Sequence, residues 1–580
     1  MQAAAVTDRV APRQVSEFST QPLTDPATRH AISTLLQLFT SCYGPHARPK
    51  LIHNNCGGHV SLTTSAARLL HGMSVSRPVL RLVTTAVQQH VTLYGDCGLL
   101  AGQLCLGLVD RSLNLAVQRR LITRINEHLL KCCLDYLYSE SCACRVAVDF
   151  STTGDLLKLA ESAIKTKPVC GFLASDVRHM SKLVVEAFLK CFPDSCTDSS
   201  WGCTEYVGME GSTVGESYLI DGILIDTPHI ATYSVRPLGS RSVQDGPRRG
   251  LLRVALFNVS LAGETNMSTA AEYQLEPNVE FGTAVMSELL RCGKRLVAQG
   301  VGVVLCQKVV HPRLKRLLKQ NSLLVLDRLG LQRTAAVHQL VGGRLLGDYQ
   351  MVLEETDWGY LQTATHRVLA RKSYVHLEAA PSAGRVCTLV LCARTDEAVN
   401  ELKTTCRTAE QVLRTTSQQP LALAGGGCWL SHLAHVIATQ ISEKWLEWSK
   451  DCDCTRLQLL TVVDSFAANL RHVATVVNKG DGSVVTDSRH HHAWLVSSGI
   501  HASDTVFTSL PATCQCGQVT STDSVTLTSL QETATGLDVD TNMSRSCWVL
   551  DSFLASTKAL HMAVSVANVV LSIEHCIQEL

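Results

Sequence analysis

Three glycine-bearing turns hold the residues with which this chain could do chemistry. They are Tyr43-Gly44-Pro45, Tyr94-Gly95-Asp96-Cys97-Gly98 and Gly425-Gly426-Gly427, and each follows or opens an apolar periodic segment. Turns of this kind present backbone N–H groups that can cradle phosphate. Few acids and hydroxyls surround them, so the phosphate chemistry they suggest is binding more than bond cleavage. A plainer reading stands beside this one: the glycines are tight turns needed to pack helices.

The elements that must position these turns follow from hydrophobic periodicity. Ile32, Leu35, Leu36 and Phe39 recur at helical spacing in 31–39, which leads straight into Gly44-Pro45. Helices are expected at 80–93 and 98–109, flanking the Asp96 turn, and at 122–137, which makes residues 29–145 mostly helical. The pattern predicts a strand at 146–150 and an amphipathic helix at 153–164. From about residue 216 it becomes β/α, with short apolar strands at 218–220, 222–225, 252–257, 301–306 and 323–326 and a helix at 284–299. A strand at 386–391 and a helix at 398–415 carry the chain to the triple glycine, and helices are expected at 429–448 and 457–477. Residues 498–547 are rich in Ser and Thr without periodicity, as in a long surface insertion. A closing helix at 551–577 places Ala555, Ala559, Ala563 and Ala567 at every fourth position. Helical segments at both ends thus enclose an inserted β/α domain.

The chain has 580 residues, more than a single core of roughly 250–300 residues accommodates. Its 46% hydrophobic and 18% charged residues suit well-buried domains, and a net charge of +1 favours neither nucleic acid nor an anionic membrane surface. Residues 1–28 read as a polar, loose tail without the apolar stretch of a signal peptide. No apolar run is expected to reach the length of a membrane span, which gives a soluble, intracellular expectation. The 24 cysteines are scattered, as small buried hydrophobes are in a reducing compartment. Cys132-Cys133, Cys142/Cys144, Cys452/Cys454 and Cys514/Cys516, with His490-His491-His492, are candidate metal ligands, but their spacing fits core thiols and surface loops better. No nucleophile elbow occurs, and Gly293-Lys294 lacks the spacing of a phosphate-binding loop.

Taken in order, several segments resemble the group II chaperonins, the CCT and thermosome type. Residues 40–50, Thr-Ser-Cys-Tyr-Gly-Pro-His-Ala-Arg-Pro-Lys, are similar to that family's T-S-L-G-P-K-G-M-D-K loop. Arg77-Pro78 through Gly95-Asp96 is similar to its H-P to G-D-G-T-T segment, and Ser162–Lys167 to its T-S-L-N-S-K. Leu219–Leu224 resembles L-I-K-G-V-V, Cys306-Gln307-Lys308 resembles C-Q-K, and Ala424–Gly427 resembles A-G-G-G. The resemblance covers 29–480 and 548–577. Ser41–Pro45, Leu305–Val309, Gly425–Cys428 and the late insertion are similar to the chaperonin-like branch of the Bardet–Biedl group.

The resemblance implies an α+β multidomain group II chaperonin fold. Its helical equatorial domain would comprise 29–145 and 411–580, a small intermediate domain 146–215 and 370–410, and an inserted α/β apical domain 216–369. It implies an Mg-ATP site at Gly44, Pro45, Asp96, Gly425, Gly426, Gly427 and Asp551, with Asp96 the Mg contact and Asp551 near the ribose. Where the family has paired threonines after that Asp, this chain has Gly98 and Leu99, and its T-N-D-G-A-T acid falls on Ser65. The acid of its D-A-L motif, which would orient the attacking water, is Thr408. A positioned base is typically worth ~10²–10⁴ in rate, and a hydroxyl does not replace it. Glu410 lies two residues on, about 200° round a helix, and so on another face. Ala47 replaces a loop glycine and is expected to crowd the phosphate approach.

Weak nucleotide binding, or none, with little turnover is the expectation. Sealed-cage folding is not expected, because 263–278 is polar and weakly helical where the family's lid belongs. Ala284, Val285, Leu289, Leu290, Leu296 and Val297 are expected to pack their helix on its own sheet. The implied function is assembly of complexes, the BBSome foremost, with CCT-type subunits and sister chaperonin-like proteins. The implied setting is the cytosol, centrosome and ciliary basal body. An active ATP-driven foldase and a ring-free adaptor remain the alternatives.

Overall fold

A computed structural model describes residues 16–53, 60–170, 172–193, 201–227, 250–263, 281–351, 353–380, 384–477, 482–487, 492–497, 513–514 and 549–579. The chain divides into two units, one of Met1–Ser181 with Thr404–Leu580 and one of Lys182–Lys403.

The first unit opens with β1 (Ser16–Thr20) and α1 (Pro26–Ser41). Asp25 caps α1 by accepting from the N–H groups of Ala27 and Thr28, and Pro26 suits its first turn. A hairpin of β2 (Lys50–His53) and β3 (Val60–Thr63) follows, then α2 (Ala66–Gly72), α3 (Pro78–Tyr94), α4 (Gly98–Ser112) and α5 (Arg119–Tyr138). The expected strand at 146–150 is the shorter β4 (Arg145–Ala147), and the expected helix after it is α6 (Thr153–Lys165). Helix α7 (Ala174–Cys191) runs into the second unit.

In the second unit, β5 (Cys203–Glu210), β6 (Tyr218–Asp221), β7 (Ile223–Asp226) and β8 (Leu252–Phe257) precede α8 (Phe281–Ala298) and β9 (Val303–Cys306). Then come α9 (Pro312–Gln320), β10 (Leu324–Leu326), α10 (Gly330–Val341), β11 (Leu345–Leu346), β12 (Gly359–Leu369), β13 (Lys372–Ala379) and β14 (Val386–Ala393). One sheet has the order β10-β9-β8-β12-β13-β7, with β11 beside β8. The β10, β9 and β8 strands are parallel, as is β11 to β8, and the β8–β12, β12–β13 and β13–β7 pairs are antiparallel.

The alternation of β8 shows how this sheet is covered. Val254 and Leu256 pack with Val337, Leu340 and Val341 of α10, while Ala255 and Phe257 pack with Leu289 of α8 and Leu314 of α9. A strand buried on both faces reads as a continuous apolar run, as Leu252–Phe257 does. The expected packing of α8 is found: Val285, Leu289 and Leu296 are buried, and Val297 packs beside them. A Cβ at Gly293 would lie 2.6 Å from Leu314 Cδ1, so the lone Gly-Lys marks a close helix contact. A smaller sheet has the order β5-β14-β6. The expected lid segment, 263–278, lies almost wholly outside the described residues.

The chain re-enters the first unit through α11 (Asp396–Gln418), followed by β15 (Leu421–Ala424), α12 (Cys428–Asp451) and α13 (Arg456–Val476). Strands β16 (Gly482–Asp487), β17 (His492–Ser497) and β18 (Thr513–Cys514) form one small sheet. Apart from Thr513–Cys514, the expected insertion 498–547 lies outside the described residues. The end is β19 (Leu550–Ser552), α14 (Phe553–Leu571) and β20 (His575–Glu579).

Two expectations fail at the chain ends. The tail is not loose throughout, since β1 pairs antiparallel with β20, Phe18 opposite Ile577. The closing helix spans 553–571 and not 551–577, because the residues on both sides are drawn into strand pairing. Helix α14 is long and apolar enough to cross a membrane by length and composition alone, with mean hydropathy 1.4, and 61% of that stretch is buried within the protein. That composition has a local cause: Ala555, Ala559, Ala563 and Ala567 are all fully buried in the first unit's core.

That core surrounds α4, whose thirteen buried residues include nearly its whole length. Its glycines let neighbours close in. A Cβ at Gly102 would sit 2.4 Å from the ring of the fully buried Phe39 on α1, and one at Gly107 2.2 Å from Asn469 Oδ1 on α13.

Candidate functional site

The three turns meet in the first unit. Helix α1 closes on Cys42, and the chain reverses at Gly44, where φ is +85° and a Cβ would lie 2.7 Å from the carbonyl oxygen of Val477. Helix α3 ends at Gly95, whose N–H donates to Val91 O at 2.8 Å, and α4 begins two residues after Asp96. The triple glycine joins β15 to α12. Gly427, at φ +83°, caps that helix with Ala474 Cα 2.8 Å from where its Cβ would be. Strand β19 pairs with β15 so that Asp551 stands opposite Leu423.

These elements enclose a cavity of about 320 Å³. Gly44, Pro45, Asp96, Gly426, Gly427 and Asp551 line it. Gly425, the seventh expected residue, stands behind the wall and donates its N–H to Val549 O at 2.8 Å. Ala47 does not crowd the cavity: it is buried outside the lining, its N–H held by Gly44 O at 3.2 Å. Ser65 and Thr408 both line it, so the two positions where the resemblance calls for acids do face the cavity. Sequence reasoning passed over Lys158, Lys165 and Lys167, which line the same space. The signal was available, since Lys158 and Lys165 are two turns apart on one face of α6.

Glu410 is the acid nearest in sequence to Thr408, and it points elsewhere. It is buried outside the cavity lining, where Oε1 accepts from Arg414 Nε at 3.0 Å and from Arg414 Nη2 at 2.6 Å. Losing either partner would strand a buried charge, so this pair fixes Glu410 in place.

Two carboxylates share the cavity, and the charge of Asp96 acts on Asp551. Burial, reinforced by the charge of Asp96, pushes the Asp551 carboxyl up to about 7, against a hydrogen bond from the Trp429 indole. Burial, with Asp551 next, also raises the Tyr43 hydroxyl, and burial raises the Cys97 thiol, which leaves it protonated and unreactive. Burial lowers His90 to about 4 despite Asp96 nearby, so the imidazole is neutral behind the turn, its ring 4.9 Å from that of Tyr94.

Asp551 therefore makes stability pH-dependent. Its folded value lies above the ordinary 3.8, so the folded protein holds the extra proton. The contribution is full below about 4 and is lost as pH rises through about 7. The urea midpoint of the first unit is expected to fall between pH 5 and pH 8. Asp551→Asn is expected to flatten that fall, and an unchanged slope would refute this assignment.

Among the described residues Asp96 makes no ion pair. An unpaired acid beside a second acid, three lysines and the N-termini of α4 and α12 are together suited to a phosphate chain carrying a divalent cation. Asp96 would hold the cation, and the lysines and helix N-termini the phosphates. Among the described residues the thiols form no comparable centre. Cys142 Sγ lies 3.4 Å from Cys144 Sγ, but among the described residues no group of three or more His, Cys, Asp or Glu could hold a metal ion. Cys516, His490 and His491 lie outside the described residues.

The sequence profile of the TCP-1/cpn60 chaperonin family matches residues 35–579. The chain is 31% identical to Molecular chaperone MKKS of Homo sapiens, over 98% of this chain and 99% of that one, and equally so to the Mus musculus protein. It is 21% identical to thermosome subunit alpha of Sulfolobus acidocaldarius, over 81% of this chain and 83% of that one. With the turns, the cavity and these relatives in agreement, the chain belongs to the TCP-1/cpn60 chaperonin family.

Proposed function

We propose that this chain is a chaperonin-like assembly subunit that binds Mg-ATP weakly at most and hydrolyses it poorly. A chaperonin-related function follows from its family. The finer reading rests on one observation: Thr408 faces the cavity while Glu410 is tied to Arg414 outside its lining. Binding groups are present and the carboxylate that would orient water is not. In this reading the first unit supplies an equatorial domain with part of an intermediate one, and the second unit an apical domain with the rest. The partners are CCT-type and sister chaperonin-like subunits, the assembled product is the BBSome, and the setting is the cytosol, centrosome and ciliary base. These last assignments rest on the family resemblance alone.

Titration of the purified full chain with a fluorescent ATP analogue and Mg²⁺, alongside phosphate release, tests the reading. Turnover at least about 10² below that of a thermosome subunit assayed in parallel is expected. Asp96→Ala is expected to abolish what binding there is. Turnover equal to the thermosome's would replace this reading with that of an active foldase.

A further inference from the structure

Cys142 and Cys144 lie in the turn that carries α5 into β4, and their sulfurs stand 3.4 Å apart in a hydrogen bond. Backbone bonds set that turn. The Cys142 N–H donates to Ser139 O at 3.3 Å, the Arg145 N–H to Cys142 O at 3.3 Å, and the Ala424 N–H to Cys144 O at 2.9 Å. Between the two cysteines, the Ala143 N–H donates to the Tyr136 hydroxyl at 3.3 Å. Both thiols are 6% exposed and belong to the core around α4, yet Ser141 and Ala143 beside them are exposed. The sulfurs thus lie just beneath a surface turn. Cys191 and Cys387 of the second unit also pair, at 3.7 Å, but they are 0% and 1% exposed, out of an oxidant's reach.

The environments of Cys142 and Cys144 differ. With Cys144 as donor, the bond between the sulfurs favours the Cys142 thiolate and holds that thiol below its ordinary value in spite of burial. The N–H groups of Cys144 and Arg145 and the Arg145 guanidinium act in the same direction. The same bond, with burial, raises the Cys144 thiol. One sulfur is therefore suited to attack and the other to resolve what the attack leaves. Burial raises Cys105 and Cys133 of the same core.

We propose that Cys142 and Cys144 form a peroxide-sensing dithiol that closes to an intrachain disulfide and reopens with a thiol reductant. The Cys142 thiolate attacks one oxygen of hydrogen peroxide, an S–O bond forms, the O–O bond breaks, and the departing hydroxide takes the proton that Cys142 released. Cys144 Sγ then attacks the sulfur of the sulfenic acid, its proton goes to the departing hydroxyl, and a second water leaves. Two electrons pass from the sulfurs to the peroxide. For this bond the sulfurs must close from 3.4 Å to roughly 2.0 Å. A bridge over the single residue Ala143 is tight, and tight bridges are readily reduced.

Peptide masses of the full chain test this after hydrogen peroxide, alkylation with N-ethylmaleimide, and digestion by trypsin and a glutamate-specific protease. The Ser141–Arg145 peptide, cut after Glu140 and Arg145, carries these two cysteines alone. In the wild type it is expected unalkylated and two hydrogens lighter, at least about tenfold sooner than Cys133 is oxidised, and dithiothreitol should restore it. Cys144→Ser should leave a Cys142 sulfenic acid that dimedone captures, and Cys142→Ser should leave Cys144 reduced. A wild-type peptide still doubly alkylated once Cys133 is oxidised would overturn the proposal. So would pairing of either cysteine with a third, or dimedone capture at Cys144 in Cys142→Ser. The first readout uses the wild-type chain, so a misfolded variant does not decide the outcome.

Discussion

Trp429→Ala is expected to lower the stability of the first unit by ~3–5 kcal/mol, the usual loss for a fully buried large aromatic. Trp429 sits in the first turn of α12, 1% exposed, among residues of the core that surrounds α4. Truncation leaves a cavity that a close-packed interior refills only in part. It also removes the indole N–H that opposes the upward push on Asp551, so that carboxyl should rise further above about 7. Trp429→Phe separates the two effects, keeping most of the volume and losing only the donor. Urea unfolding followed by hydrogen exchange at α12 and α14 resolves the first unit from the second, which need not unfold with it. An unchanged midpoint for Trp429→Ala would contradict the burial described here.

Gly427→Val is the second large effect. The position has φ +83°, which costs a residue with a Cβ about 1–2 kcal/mol and a β-branched one more. The added Cβ would also lie 2.8 Å from the backbone of Ala474 on α13, and forcing such overlap typically costs a further ~1–3 kcal/mol. Because Gly427 lines the cavity and starts α12, the shift that relieves the clash must disturb both. Loss of roughly 2–5 kcal/mol together with loss of any nucleotide binding is expected. Gly154→Val is the control, since nothing lies within 4 Å of a Cβ there, and it should change stability by less than about 0.5 kcal/mol. If the two variants melted together, backbone geometry at Gly427 would not be limiting.

The glycine turns were legible in the sequence because positive φ and close backbone approach leave a residue-type mark. So was the second unit's sheet, where burial on both faces concentrates apolar residues in runs such as Leu252–Phe257. The ends of the chain were not. Ser-Glu-Phe-Ser-Thr and His-Cys-Ile-Gln-Glu are short and mixed, and each becomes a strand only because the other lies beside it. Leu550–Ser552 is a three-residue strand that periodicity absorbs into the helix after it. The lysines of the cavity escaped for a different reason. A lysine on or just after an amphipathic helix ordinarily reads as solvated surface, and only the meeting of α6 with β19 sets Lys158, Lys165 and Lys167 along the cavity. Ala47 failed in the other direction: a change of residue type in a loop gave no indication that the side chain faces the core.

Helix α4 lies at the centre of a core whose other walls are α1, α13 and α14. One buried bond of that core, Asn126 Nδ2 to Asn568 Oδ1, spans 442 residues. A chain emerging from the ribosome must therefore synthesise the whole second unit, and more, before α4 can be covered. Throughout that interval an apolar helix lacks its completed partner set. Loop closure of this length slows folding much more than it weakens the finished fold. The core of this protein can thus close only after its last helix has been made.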